Sequence, residues 1–154
     1  MSVRLTLPAS LLLACAGIAV ALSPAGRADT IVTAVSAPAA LAAAAKGDAT
    51  LVDVRSPREW RRTGVATGAR TVTIHNRGGI DAFVAEMVKT VGGDRSRPVA
   101  LICATGGRSA RAAKILADAG FTNLQNVAEG MQGRPDSGPG WLRRGLPVTP
   151  CPEC

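Results

Sequence analysis

Past the first thirty residues, short β-branched runs trade places with stretches of helical period. TIVTAV (residues 30–35) predicts a short strand. Ser36 stands where an N-cap belongs, ahead of APAALAAAAKG, with Pro38 in the first turn and Gly47 at the end. ATLVDVR (49–55) reads as a buried strand, and SPREWRR as a short helix capped by Ser56 with Pro57 at its first position. GVATGARTVTIH (64–75) carries turn glycines and then an alternating strand. Ile80, Phe83, Val84, Met87, Val88 and Val91 recur at helical intervals. RPVALIC (97–103) is the most apolar strand, and a helix starting near Arg108 or Ser109 runs to Gly120. FTNLQNV (121–127) gives the last strand. The tail from Gly133 is rich in Gly and Pro and predicts a loop, a short helix around Trp141 and an extended end. Strands that alternate with helices imply an α/β fold, a mostly parallel central sheet with helices on both faces. Ligands of such sheets bind beyond the carboxyl ends of the strands, where Cys103 sits.

The N-terminus stands outside this alternation. Arg4 precedes an apolar run from Leu5 to Leu22 that closes in small residues, the layout of a secretory signal peptide over residues 1–28. Cleavage after Ala28, or alternatively Ala25, starts the mature chain near Asp29, with one domain over 29–148 and a CxxC tail at 149–154. The protein is then exported, to a periplasm. Two alternatives share the segment. Residues 5–22 are just long enough for an uncleaved membrane anchor. LLAC resembles a lipoprotein box, which would attach lipid at Cys15. Pro8 and the SPAG stretch favour cleavage.

Formal charge is +7, and loss of Arg4 and Arg27 leaves +5. With no Tyr, two Phe and two Trp, the chain lacks the stacking aromatics of a nucleic-acid binder. A solvated basic surface that draws small anions fits better. Of the four cysteines, Cys15 lies in the leader. In an oxidising compartment Cys151 and Cys154 can pair, which leaves Cys103 as an odd thiol in need of a reason.

That reason lies in CATGGRSA. A thiol is a weak nucleophile until ionised, and a helix N-terminus and a cation each favour the thiolate. Ala104, Thr105, Gly106 and Gly107 run from Cys103 straight into a helix. The two glycines allow angles that turn successive amides inward as an anion cradle. Arg108 adds charge, and Thr105 and Ser109 add hydroxyls. Such a cradle would hold a thiolate, a persulfide or an oxyanion. The plainer alternative is a small buried hydrophobe at a strand end.

LVDVRSPREW together with CATGGRSA resembles the rhodanese domain, the sulfurtransferase fold, over residues 31–148. The loop of that family reads C-x-x-G-x-R-S, matched by Cys103, Gly106, Arg108 and Ser109. The resemblance implies double displacement. Cys103 takes sulfur from a small sulfur-containing anion such as thiosulfate and passes it to a thiol or cyanide. Arg108 and the loop amides would hold the donor. It implies no metal and no organic cofactor. A periplasmic redox protein is a further candidate partner. The family's Gly-His-Ile-Pro-Gly-Ala segment corresponds here to GVATGA, which lacks the His and Pro. Ala104 replaces a charged or larger residue, which leaves donor preference open. EGMQGRPDSGPGW is longer than usual and is placed to shape one pocket wall.

The rest of the signature has plain readings. Arg55 and Glu59, four apart, read as a structural ion pair at a helix start, with a place at the pocket rim as the alternative. Asp53 would bond backbone or an arginine. His75 ends a strand and reads as structural. Cys151 and Cys154 read as a small surface disulfide, with a redox or sulfur-relay arm as the sharper alternative, and one such pair makes no zinc site.

Three rivals remain. A cysteine phosphatase loop has five residues between Cys and Arg, whereas four intervene here, making a tighter cradle. A dinucleotide loop would need G-x-G-x-x-G at the first strand. A sulfur carrier or binding module without turnover would keep Cys103 and Arg108 intact and is not separated from an enzyme by them.

Overall fold

The computed structural model describes residues 30–154. The expected signal peptide at 1–28, the lipid site at Cys15 and the anchor at 5–22 lie outside these described residues. Among the described residues no helix is long and apolar enough to cross a membrane.

The elements follow the chain as β1 (Ile31–Val35), α1 (Ala37–Lys46), β2 (Thr50–Asp53), α2 (Pro57–Thr63), β3 (Val65–Ala66), β4 (Arg70–Thr71) and α3 (Gly79–Thr90). There follow β5 (Val99–Ile102), α4 (Gly107–Asp118), β6 (Asn123–Val127), α5 (Gly140–Arg143) and β7 (Val148–Thr149). Five strands form one sheet in the order β1-β6-β5-β2-β4, and every neighbouring pair is parallel.

Local sequence explains the helix ends. Ser36 accepts from the Ala39 amide, and Gly47 closes α1 in the left-handed region. Pro57 opens α2 with its ring already at a helical φ. The helix after Cys103 begins at Gly107, slightly ahead of Arg108. The alternating strand expected after the turn glycines of 64–75 shortens to β4, and β3 forms ahead of it. Gly68, at φ 84, turns the chain between them. β3 leaves the main sheet and pairs antiparallel with β7, so the tail's extended end is a strand. β4 stays on the sheet edge, and the amides of Val72 and Ile74 prolong its bonding to the carbonyls of Asp53 and Val54.

Strand alternation sends side chains to two cores. Val52, Val99, Leu101 and Leu124 pack with Phe83 and Met87 of α3 and Leu116 of α4. Leu51, Ala100, Ile102 and Val127 pack with Ala37 and Ala40 of α1 and Trp141 of α5. The central strands are therefore apolar on both faces, which a parallel sheet covered on both sides requires. Ile80, in the first turn of α3, is 52% exposed and does not join the stripe that Phe83 and Met87 define.

The candidate active site

From β2 the chain moves outward to β4, and α3 then carries it back across β2 to β5. The order therefore reverses between β2 and β5, and ligands of such sheets bind beyond the carboxyl ends of the strands at that point. Asp53 and Ile102 are register partners there. One residue past Ile102 stands Cys103, a free thiol whose residue is only 1% exposed.

The turn Ala104–Gly106 leads from Cys103 into α4. Among the described residues no backbone carbonyl accepts from the amides of Ala104, Thr105, Gly106, Gly107, Arg108 or Ser109. The later ones belong to the first turn of α4, where intrahelical partners are missing by geometry. Gly106 sits at φ 86, and a Cβ there would run into the Ala128 carbonyl. Only glycine fits that position. Ser109 is fully buried, and its Oγ lies 3.3 Å from Cys103 Sγ and 3.0 Å from the Gly106 carbonyl oxygen. One hydroxyl proton serves one of these at a time.

Arg108 is not a loose cation. Its Nη1 and Nη2 donate to the two carboxylate oxygens of Glu59 at 2.8 and 2.6 Å. Glu59 also accepts from the amide and hydroxyl of Ser56, as in a capping box. The Arg108 bonds, aided by those from Ser56, hold the Glu59 carboxyl at about 2, well below its ordinary 4.5. In return Glu59, and less strongly the charge of Cys103, raises the Arg108 guanidinium above its usual value.

The Arg55–Glu59 ion pair expected from their spacing does not form. Arg55 turns to Asp53, its Nη2 meeting Oδ2 at 2.7 Å with both side chains fully buried. Residues two apart in an extended segment project to the same side, and Arg55 precedes the helix that an i, i+4 pair needs. Arg55 also donates to Thr63 Oγ1 and the Gly64 carbonyl, tying the end of β2 to the end of α2. Asp53 thus bonds both an arginine and the Arg55 amide.

A second loop, 128–133, braces the first from behind. The amides of Met131 and Gln132 donate to the carbonyls of Cys103 and Ala104, each at 2.8 Å. Gly130 approaches so closely that a Cβ would stand 2.5 Å from the Ala104 oxygen. Glu129 beside it is fully buried and accepts from the Ala37 amide, the Gly140 amide and Arg144 Nε. Burial pushes its carboxyl up, but those three donors together hold it below the ordinary value. Two of them are the first amides of α1 and α5, so one carboxylate caps two helices. Sequence reasoning did not single out Glu129. Its signal was an acidic residue one position ahead of Gly130 in an otherwise apolar stretch, VAEGM.

Hydrogen bonds thus join Ser109 to Cys103 and Gly106, and separately Arg108 to Glu59, the two sets meeting where Arg108 and Ser109 adjoin in the chain. Asp53 and Arg55 form a buried support beneath α2. His75 is exposed in a turn. Cys151 and Cys154 form a disulfide beside Arg61, at the other end of α2.

Solved structures share this fold. Rv0390 from M. tuberculosis matches at 29% identity and a TM-score of 0.63, over 79% of this chain and 99% of that one. The polysulfide-sulfur transferase homodimer of Wolinella succinogenes matches at 30% identity and a TM-score of 0.57, over 80% of each chain. A Rhodopseudomonas palustris protein of unknown function, described as a possible tyrosine phosphatase, matches at 25% identity and a TM-score of 0.56, over 77% and 85%. No curated protein sequence matches the chain. The family model for the rhodanese-like domain matches residues 36–133, which takes in the Asp53–Glu59 stretch, the whole Cys103 loop and its brace. This chain is a member of the rhodanese-like domain family.

Proposed function

We propose that this protein is exported and is a sulfurtransferase that carries a sulfane sulfur on Cys103. The observation that supports it most is a free thiol set against six amides, of the turn and of the first turn of α4, that no backbone carbonyl among the described residues occupies. In this reading the Cys103 thiolate attacks the outer sulfur of a donor such as thiosulfate. The donor's S–S bond breaks, and sulfite leaves with the electron pair. The outer sulfur of the persulfide then stands about 2 Å beyond Sγ, among the amides of Ala104, Thr105, Gly106 and Gly107. Ser109 turns its proton to the sulfur that bears the charge. An acceptor thiolate or cyanide attacks the outer sulfur, and Cys103 leaves as thiolate. Charge develops on the sulfurs and never requires a metal or an organic cofactor. Arg108, matched by Glu59, keeps three of its five N–H donors for the donor's oxygens.

The experiment is intact-mass spectrometry with and without thiosulfate, beside Cys103→Ser. Gain of one sulfur atom, lost on adding cyanide and absent in the variant, is the expected result. A reactive free thiol that gains nothing from thiosulfate or polysulfide would overturn the reading. Phosphatase chemistry is the second reading, favoured by the description of the R. palustris relative. Hydrolysis of an aryl phosphate that depends on Cys103 would establish it.

A further inference from the structure

The CPEC pair has no part in the chemistry proposed for Cys103. Cys151 and Cys154 are bonded to each other, Cα atoms 5.4 Å apart. Both residues are half-buried and neither is enclosed. β7, paired with β3, brings them against the last turn of α2. There Arg61 Nη1 donates to the Cys154 backbone oxygen at 2.6 Å. Cys151 lines two clefts. One, of about 300 Å³, it shares with Arg61, Arg62 and Pro152. The other, of about 350 Å³, it shares with Arg70. Among the described residues no carboxylate lines either cleft. The acid closest in sequence, Glu153, is exposed within the CPEC loop itself.

The loop that this disulfide closes spans a sequence separation of three, so it restricts the unfolded chain little and adds little to folding. The surrounding cations act differently. They attract an anionic thiolate and stabilise the thiolates that reduction creates, which raises the reduction potential.

We propose that Cys151–Cys154 is a second reactive site, a dithiol–disulfide exchange centre that takes electrons from an external thiol with Cys151 as the attacked sulfur. The external thiolate bonds to Cys151 Sγ while the bond to Cys154 breaks. The electron pair leaves on Cys154, beside Arg61, and takes a proton from water. A second thiolate attacks the external sulfur of the mixed disulfide and releases Cys151. Two electrons and two protons reach the pair, and two external thiols end as one disulfide. This site stands whether or not Cys103 transfers sulfur.

The test equilibrates the full-length oxidised protein against a series of reduced-to-oxidised glutathione ratios, and separately against reduced thioredoxin. Alkylation and peptide mapping then read the 151–154 fragment alone, so Cys15 and Cys103 do not contribute. We expect reversible reduction of the pair. In the double variant Arg61→Gln/Arg62→Gln, both exposed positions, the equilibrium constant should move at least threefold toward the disulfide. Cys154→Ser should trap glutathione on Cys151 at least tenfold faster than Cys151→Ser traps it on Cys154. Faster reduction by thioredoxin assigns the source of electrons to a protein dithiol, and faster reduction by glutathione to a small thiol. A pair that neither reagent reduces would overturn the proposal, as would an unchanged constant in the arginine variant or preferred trapping on Cys154.

Discussion

Arg108 reaches the Cys103 loop with its charge already matched by Glu59, so the pair adds geometry to the site more than net charge. Both oxygens of Glu59 are taken by one guanidinium, in the bidentate form that lysine cannot reproduce. This clamp sets a pH dependence. The Glu59 carboxyl is held at about 2 in the folded protein, against an ordinary 4.5. A depressed carboxyl contributes stability that is fully present above the unfolded value and is lost as pH falls through the folded value. The window therefore runs from about pH 4.5 down to about pH 2. Arg108 stays cationic throughout. Urea midpoints of the wild type should fall across that window more steeply than those of Glu59→Gln. Parallel curves would show that the clamp contributes nothing to folding.

At the scale of the element, α2 is a short bar pinned at both ends. Glu59 in its first turn holds Arg108 at the start of α4, and Arg55 holds its last residue and Gly64 to the end of β2. Arg55→Met leaves Asp53 fully buried without its cation. Breaking such a pair costs about 3–5 kcal/mol. Replacing both residues with apolar ones of like volume, as in Asp53→Leu/Arg55→Met, should cost less than the single change. Thermal unfolding of the three proteins measures the order, and a double variant worse than the single one would refute it. The same region shows what a sequence makes legible. Ser36, Gly47, Ser56 and Pro57 mark helix ends because a cap is made within a few residues of itself. Arg55 pairs with Asp53 and not with Glu59 because it still lies in extended chain, where helical spacing brings no side chains together. Glu59 found its partner 49 residues away, at a distance that no local pattern encodes.

At the scale of the molecule, the Cys103 turn owes its shape to a segment that belongs to neither strand nor helix. Cys103, Gly106 and Arg108 are legible because they adjoin one another. The brace over 128–133 is not, because its bonds reach across the sheet to carbonyls that carry no sequence signature. Two glycines separate its contribution from backbone strain. Gly47 and Gly130 both have left-handed φ, 77 and 62 degrees. An alanine at either meets the same intrinsic penalty, about 1–2 kcal/mol. At Gly47 nothing lies within 4 Å of a new Cβ, whereas at Gly130 it would stand 2.5 Å from the Ala104 oxygen and 2.7 Å from that of Cys103. Gly47→Ala should therefore lower stability by about the strain alone and leave sulfur loading intact. Gly130→Ala has to push the brace off the loop, which also strips the Met131 and Gln132 bonds from it. It should cost at least about 2 kcal/mol more, and, compared at temperatures where both variants are folded, lose most of its persulfide formation. Equal loading in the two proteins would mean that the loop holds its own shape and that the segment behind Cys103 only fills space.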